Sequence, residues 1–149
     1  DPDKESLEHV DARGFTALHC ATQEGNVEMV ALLLESGKAP LEAVNSDGNT
    51  ALLLAANEGR HMVVSLLLKH GANVGAVGQH NNTPLHTAAG NNHTKVAKVL
   101  LDCGAPLDAL DKDGRTPGQF ASACNSTNVV GVIQSKLVTA GGLGTERRK

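Results

Sequence analysis

One spacing governs what this chain folds into. Threonines stand at positions 16, 50, 83 and 116, giving intervals of 34, 33 and 33 residues, and each threonine opens a similar stretch. Gly14-Phe15-Thr16-Ala17-Leu18-His19 aligns with Gly48-Asn49-Thr50-Ala51-Leu52-Leu53, with Asn81-Asn82-Thr83-Pro84-Leu85-His86, and with Gly114-Arg115-Thr116-Pro117-Gly118-Gln119. Five residues after each threonine come Ala21, Ala55, Ala88 and Ala121, and nine after come Gly25, Gly59, Asn92 and Asn125. The extra residue of the first interval falls near Lys38, where Gly37-Lys38-Ala39 replaces Gly71-Ala72, so a loop absorbs it. A period of this length marks a repeat array, in which no unit buries its apolar face alone and neighbours must stack.

Each period predicts two short helices and a turn. The four threonines stand where a side-chain oxygen accepts a backbone N–H at a helix start, and Pro84 and Pro117 follow at the first helical position, where a missing N–H costs nothing. The first helix should end at Gly25, Gly59, Asn92 and Asn125, the residue types that best tolerate a left-handed backbone. Asn81 replaces the glycine of the preceding turn in the same way. The Asn-x-Ser/Thr triplets at Asn81, Asn92 and Asn125 are therefore read as conformational rather than as glycan acceptors. Apolar runs at Val30–Leu34, Val64–Leu68, Ala97–Leu101 and Val130–Ile133 predict a second helix. With Met29 and Met62 included, that helix is apolar on more than one side, as expected of a helix packed between neighbours.

Composition agrees with a thin, repeated core. Phe15 and Phe120 are the only aromatic residues, with no Trp or Tyr, although 40% of the chain is hydrophobic. The interior must be Leu, Val and Ala. Thirteen Lys and Arg against 16 Asp and Glu give a formal charge of −3. Omitting Glu146, Arg147, Arg148 and Lys149 leaves ten basic against fifteen acidic residues, so the body is acidic. With neither a basic stripe nor aromatic platforms, nucleic acid is not the expected partner. No apolar run approaches the roughly 20 residues that span a bilayer, so no membrane insertion is expected.

Asn82-Thr83-Pro84-Leu85-His86-Thr87-Ala88-Ala89 and Asp111-Lys112-Asp113-Gly114-Arg115-Thr116-Pro117, on a period of 33, resemble the ankyrin repeat family over residues 6 to 137. The resemblance implies an all-α solenoid of about four helix-turn-helix units joined by β-hairpin-like loops. The expected units are 11–44, 45–77, 78–110 and 111–137, with 138–149 as a flexible tail or linker. Residues 1–10 read as the end of a truncated preceding repeat, because Ser6-Leu7-Glu8-His9-Val10 aligns with Pro40-Leu41-Glu42-Ala43-Val44. The chain is thus expected to be a fragment of a longer protein or to begin with a truncated cap. Asp1-Pro2-Asp3-Lys4-Glu5 is acidic and poor in apolar residues, unlike a signal peptide. The fourth unit is degenerate: Gly118 replaces Leu18, Leu52 and Leu85, and Gln134-Ser135-Lys136 interrupts the apolar run. It suits a terminal cap, and it should fray first.

Catalytic motifs are missing, so no enzyme activity, cofactor or metal is expected. His19 and His86 share one offset, and the resemblance implies that such a histidine hydrogen-bonds between adjacent turns. His80, His86 and His93 with Cys103 have no zinc spacing. Cys20, Cys103 and Cys124 form no C-x-x-C pair and read as small hydrophobes or idle thiols, which points to a reducing cytoplasmic or nuclear setting.

By the same resemblance, turn tips and first helices form a concave face that binds a protein or peptide, with the module itself monomeric. The residues it nominates are Arg13, Phe15, Gln23 and Glu24 in the first unit, and Asp47, Asn49, Asn57 and Glu58 in the second. His80, Asn82 and Asn91 follow in the third, Lys112 and Arg115 in the fourth. Phe15 stands out as an aromatic without an evident core duty, and it is expected to bind the partner without contributing to stability, the alternative being that it packs on a preceding repeat. The alternative function is a recruiting or regulatory segment of a larger enzyme or membrane protein whose catalytic part lies outside this chain. A small-molecule site is a weaker reading, since aromatic pockets are not evident.

Overall fold

The computed structural model describes residues 10–136. The readings placed on residues 1–9 and 137–149, the truncated repeat and the tail, lie outside the described residues. Among the described residues, eight α-helices follow in pairs: α1 (Ala17–Glu24) and α2 (Val27–Glu35), α3 (Ala51–Glu58) and α4 (His61–Lys69), α5 (Pro84–Gly90) and α6 (Thr94–Asp102), α7 (Pro117–Ala123) and α8 (127–136). First helices pack on first helices and second on second, and each packs on its partner within the unit, which makes a two-layer solenoid.

Local chemistry sets the helix starts. The hydroxyls of Thr16, Thr50, Thr83 and Thr116 accept the N–H of His19, Leu53, His86 and Gln119, each three residues on. In three units the third residue returns the favour: His19 Nδ1, His86 Nδ1 and Gln119 Oε1 accept the N–H of Thr16, Thr83 and Thr116 at 3.1, 3.2 and 2.9 Å. Leu53 has no acceptor and makes no such box. The first helices stop where the backbone turns left-handed, at Gly25 (φ 71°), Gly59 (φ 73°), Asn92 (φ 55°) and Asn125 (φ 59°).

The two glycines have a second reason to lack a side chain. Arg60 crosses Gly25 and donates from Nη2 to the Gln23 carbonyl at 2.9 Å, and His93 crosses Gly59, its Nε2 lying 3.0 Å from the Asn57 carbonyl. A Cβ at Gly59 would lie 2.8 Å from the His93 ring. Each staple satisfies a carbonyl that a helix C-terminus otherwise leaves open, from the unit that follows.

The core lies between the layers. Leu18, Leu52 and Leu85, the alanines at 21, 55, 88 and 121, and Val63, Val64, Val96, Leu67, Leu100, Val129 and Ile133 are all buried. Ala51 to Ala56 of α3 are buried without exception. The second helices are less enclosed than expected: Met29, Leu32 and Met62 are 43%, 63% and 57% exposed, because the outer side of α2 and α4 has no third layer against it.

The connecting loops are hairpin-like but carry no regular strand among the described residues. Each closes on itself through the N–H of Asp11, Asn45, Gly78 and Asp111 to the carbonyl four residues on. Successive tips are tied by Ser46 N–H to the Arg13 carbonyl at 2.9 Å and by Lys112 N–H to the His80 carbonyl at 2.8 Å.

Candidate partner-binding face

Three of the four tips are built by one side chain. Oδ1 of Asp11 accepts the N–H of Arg13 and Phe15, Asn45 does the same for Asp47 and Asn49, and Asp111 for Asp113 and Arg115, all at 2.8 to 3.1 Å. The N–H of Phe15 first, and then the side chain and N–H of Arg13, hold the Asp11 carboxyl below its ordinary range. At Asp111 burial works in the opposite direction, but the amides of Arg115 and Asp113 and the Arg115 guanidinium outweigh it. The tip histidines tie the frame behind this face. His19 Nε2 lies 3.0 Å from the Asn49 carbonyl and His86 Nε2 lies 2.8 Å from the Arg115 carbonyl, each in the next unit. Since His19 Nδ1 accepts the Thr16 amide, its Nε2 is the protonated nitrogen and donates. Burial lowers the His19 pKa from its ordinary value, against the bond to Asn49 that raises it.

The nominated residues divide into three groups. Asp47, Asn49, Asn57, His80, Asn82 and Asn91 line one cleft of about 360 Å3 between the second and third units, bounded on its far side by Phe120 and Cys124 of the fourth. His80 and Asn82 also line a smaller neighbouring cleft with Lys112 and Arg115. At the other end Arg13 reaches Gln23 at 3.4 Å, while Glu24 and Glu58 are exposed beyond both clefts.

Phe15 departs from the expectation. It is 7% exposed, with the Arg13 guanidinium 4.0 Å over its ring and the His19 ring 5.5 Å away. Phe15 thus has a packing duty that the repeat pattern does not show, and the reason is the offset itself. Asn49, Asn82 and Arg115, its counterparts, are all half-buried, so a larger apolar ring at this position closes over completely. Phe120 makes the complementary stack at the other end, under Arg115 at 4.7 Å and beside His86 at 6.1 Å, but it stays half-buried at the cleft.

The end arginines are also less available than their exposure suggests. Arg13 pairs with Asp11 at 3.0 Å, and Arg115 pairs with Asp111 and Asp113 at 3.1 and 3.0 Å, inside their own turns. Among the described residues, no ion pair engages Glu24, Asp47, Glu58 or Lys112, so the uncommitted charge of this face is mainly negative.

Leu53, Gly78, Thr87 and Phe120 also line the cleft that holds Asn57 and Asn91, although the repeat resemblance does not point to them. Two of them carried a signal in the repeat register: Leu53 replaces the histidine of the first and third units, and Gly78 replaces the Asp or Asn that builds every other tip.

A comparison with curated proteins finds no significant match. A family model described as ankyrin repeats (three copies) matches residues 3–78 and again residues 75–137. Domains of this kind are generally protein-interaction modules and typically non-catalytic, and no described helix is long and apolar enough to cross a membrane. Repeat register, helix pairing and family match agree: the chain belongs to the ankyrin repeat family.

Proposed function

We propose that this chain is a non-catalytic binding module that holds a protein or peptide segment along the face made by its turn tips and first helices. The observation that carries the reading is the cleft in which Asp47, Asn49, Asn57, His80, Asn82 and Asn91, from two successive units, converge. Amide side chains offer donors and acceptors together, which suits a peptide backbone. The module works in a reducing cytoplasmic or nuclear compartment. Three free cysteines support that setting, with burial pushing the Cys20 thiol up and away from a reactive thiolate.

The test is quantitative capture from cell extract with the whole chain, a variant carrying Asn49→Ala, Asn57→Ala and Asn91→Ala, and a variant carrying Leu32→Ser and Met62→Ser on the outer helices. The reading expects a partner retained by the second variant and lost by the first. The reverse pattern refutes it.

A further inference from the structure

The geometry points to the notch between the second and third units as the anchor site, taking an extended peptide that presents a lysine or arginine beside a compact apolar side chain. This rests on the concave-face reading above and adds to it the place and the chemistry of the ligand.

The notch exists because two closing devices are missing at one junction. Between the first and second units, His19 donates to the Asn49 carbonyl and the tips are tied by Ser46 to Arg13. Between the third and fourth, His86 bonds Arg115 and Lys112 ties to His80. Between the second and third, Leu53 has no donor to give and Gly78 has no side chain to build a tip. The third tip instead curls into a 3-10 turn, Gln79–Asn81, with His80 at φ 61°, while Asn81 at φ 59° keeps the left-handed backbone of Gly14, Gly48 and Gly114 in the other tips. No backbone bond links Asp47 to Gln79 among the described residues. The space left open is the cleft of about 360 Å3.

Its lining dictates what fits. A Cβ at Gly90 would come within 2.8 Å of Phe120 Cε2, and one at Gly78 within 3.1 Å of Leu53 Cδ1. Two glycines therefore let two apolar side chains form the floor, small enough for one compact apolar group. Asn91 Nδ2 donates to Asn57 Oδ1 at 3.0 Å across the units and to the Thr87 carbonyl at 3.2 Å. That bridge leaves Asn57 Nδ2 as donor and Asn91 Oδ1 as acceptor, the pair that one peptide group requires. Asp47 is the cleft's carboxylate, no Lys or Arg lines the space, and no ion pair engages it among the described residues. Its complement is a cation on the ligand.

The experiment uses a displayed library of random linear peptides panned against the whole chain, with the best sequences resynthesised and measured by fluorescence anisotropy. The expected result is a shared Lys or Arg beside an aliphatic residue. Affinity should fall about tenfold on Asp47→Asn and on Asn57→Ala, and as much on Gly78→Asp, which restores the tip-building residue type of the other units. Circular dichroism melts verify that each variant is folded. Selected peptides that respond only to Glu24→Ala or Arg13→Ala overturn the notch and leave the concave-face reading standing. Peptides that respond only to Met62→Ser overturn both. Acidic consensus sequences, or no enrichment, overturn the assignment of the notch.

Discussion

Replacing Phe15 by Ala separates packing from binding at the first tip. The ring is 7% exposed, so its truncation removes most of an aromatic side chain's buried surface. Buried Phe→Ala changes cost about 3–5 kcal/mol. Here one face of the ring is covered by the Arg13 guanidinium, whose side chain is 57% exposed and can follow the shrinking surface. That relaxation places the loss lower, at about 2–4 kcal/mol, including a cation–π contact of roughly 0.5–1 kcal/mol. In a linear array the damage is local first, because each unit contacts only its neighbours. Urea unfolding should therefore show the midpoint falling, and amide exchange should show residues 17–35 losing protection before residues 51–70. A loss below about 0.5 kcal/mol, the range of a surface substitution, refutes the packed assignment and returns Phe15 to the binding surface.

Thr22 is fully buried and its hydroxyl has no partner, while Ala56 and Ala89 fill the same offset; Thr22→Ala should stabilise by about 0.5–2 kcal/mol, and a clear loss of melting temperature contradicts the orphaned hydroxyl. Gly118 lies in α7, where a Cβ would meet Ile133 Cγ2 at an ordinary 3.5 Å, so Gly118→Ala should add about 0.5–1 kcal/mol. Amide exchange across 117–136, expected to be faster than across 51–70, should slow in that variant; no change means that the fourth unit is not limited by this helix. The third of these concerns pH. Since folding lowers the His19 pKa from 6.5, the unfolded chain binds more protons below that value, and the His19 contribution to stability should be complete above pH 6.5 and be lost as pH drops through the folded value. A further loss follows below 3.8 as Asp11 and Asp111 protonate. The melting temperature of His19→Gln should lack the upper phase, and an identical profile in both proteins excludes His19 as its source.

What the sequence made legible was whatever one repeat offset decides locally. A threonine hydroxyl caps the amide three residues on wherever it stands, and Asn accepts a positive φ at 81, 92 and 125 as glycine does elsewhere. Contacts between units were harder to see. Arg60 and His93 differ in type, yet each reaches back over a glycine to a carbonyl of the preceding unit, so no shared letter announces the staple. The packing of Phe15 is hidden in the sequence because a turn tip is not one environment. Its offset faces the frame, whereas Arg13, two residues earlier, faces water. The exposed Met29, Leu32 and Met62 show the converse: an apolar run gives the length of a helix, but the number of layers around it is a property of the stack.

The second junction shows how an array can open a site without coming apart. A histidine at position 53 would supply a hydrogen bond of about 0.5–1.5 kcal/mol to the next loop. Leu53, at 2% exposure, supplies burial of about 1.5–3 kcal/mol instead. The exchange leaves the helices held at least as well, but it replaces a directional bond to the tip with a contact that has no direction. With Gly78 unable to rebuild the turn, the tip is left without its side-chain frame, and His80, unlike its counterparts Arg13, Asp47 and Asp113, enters the left-handed region. Stability and tip geometry are thereby uncoupled at this junction alone. The double variant Leu53→His with Gly78→Asp should couple them again. Solved by crystallography, it should have His80 at negative φ and a closed cleft. A retained cleft would mean that Gly90 and Phe120, rather than the missing ties, hold it open.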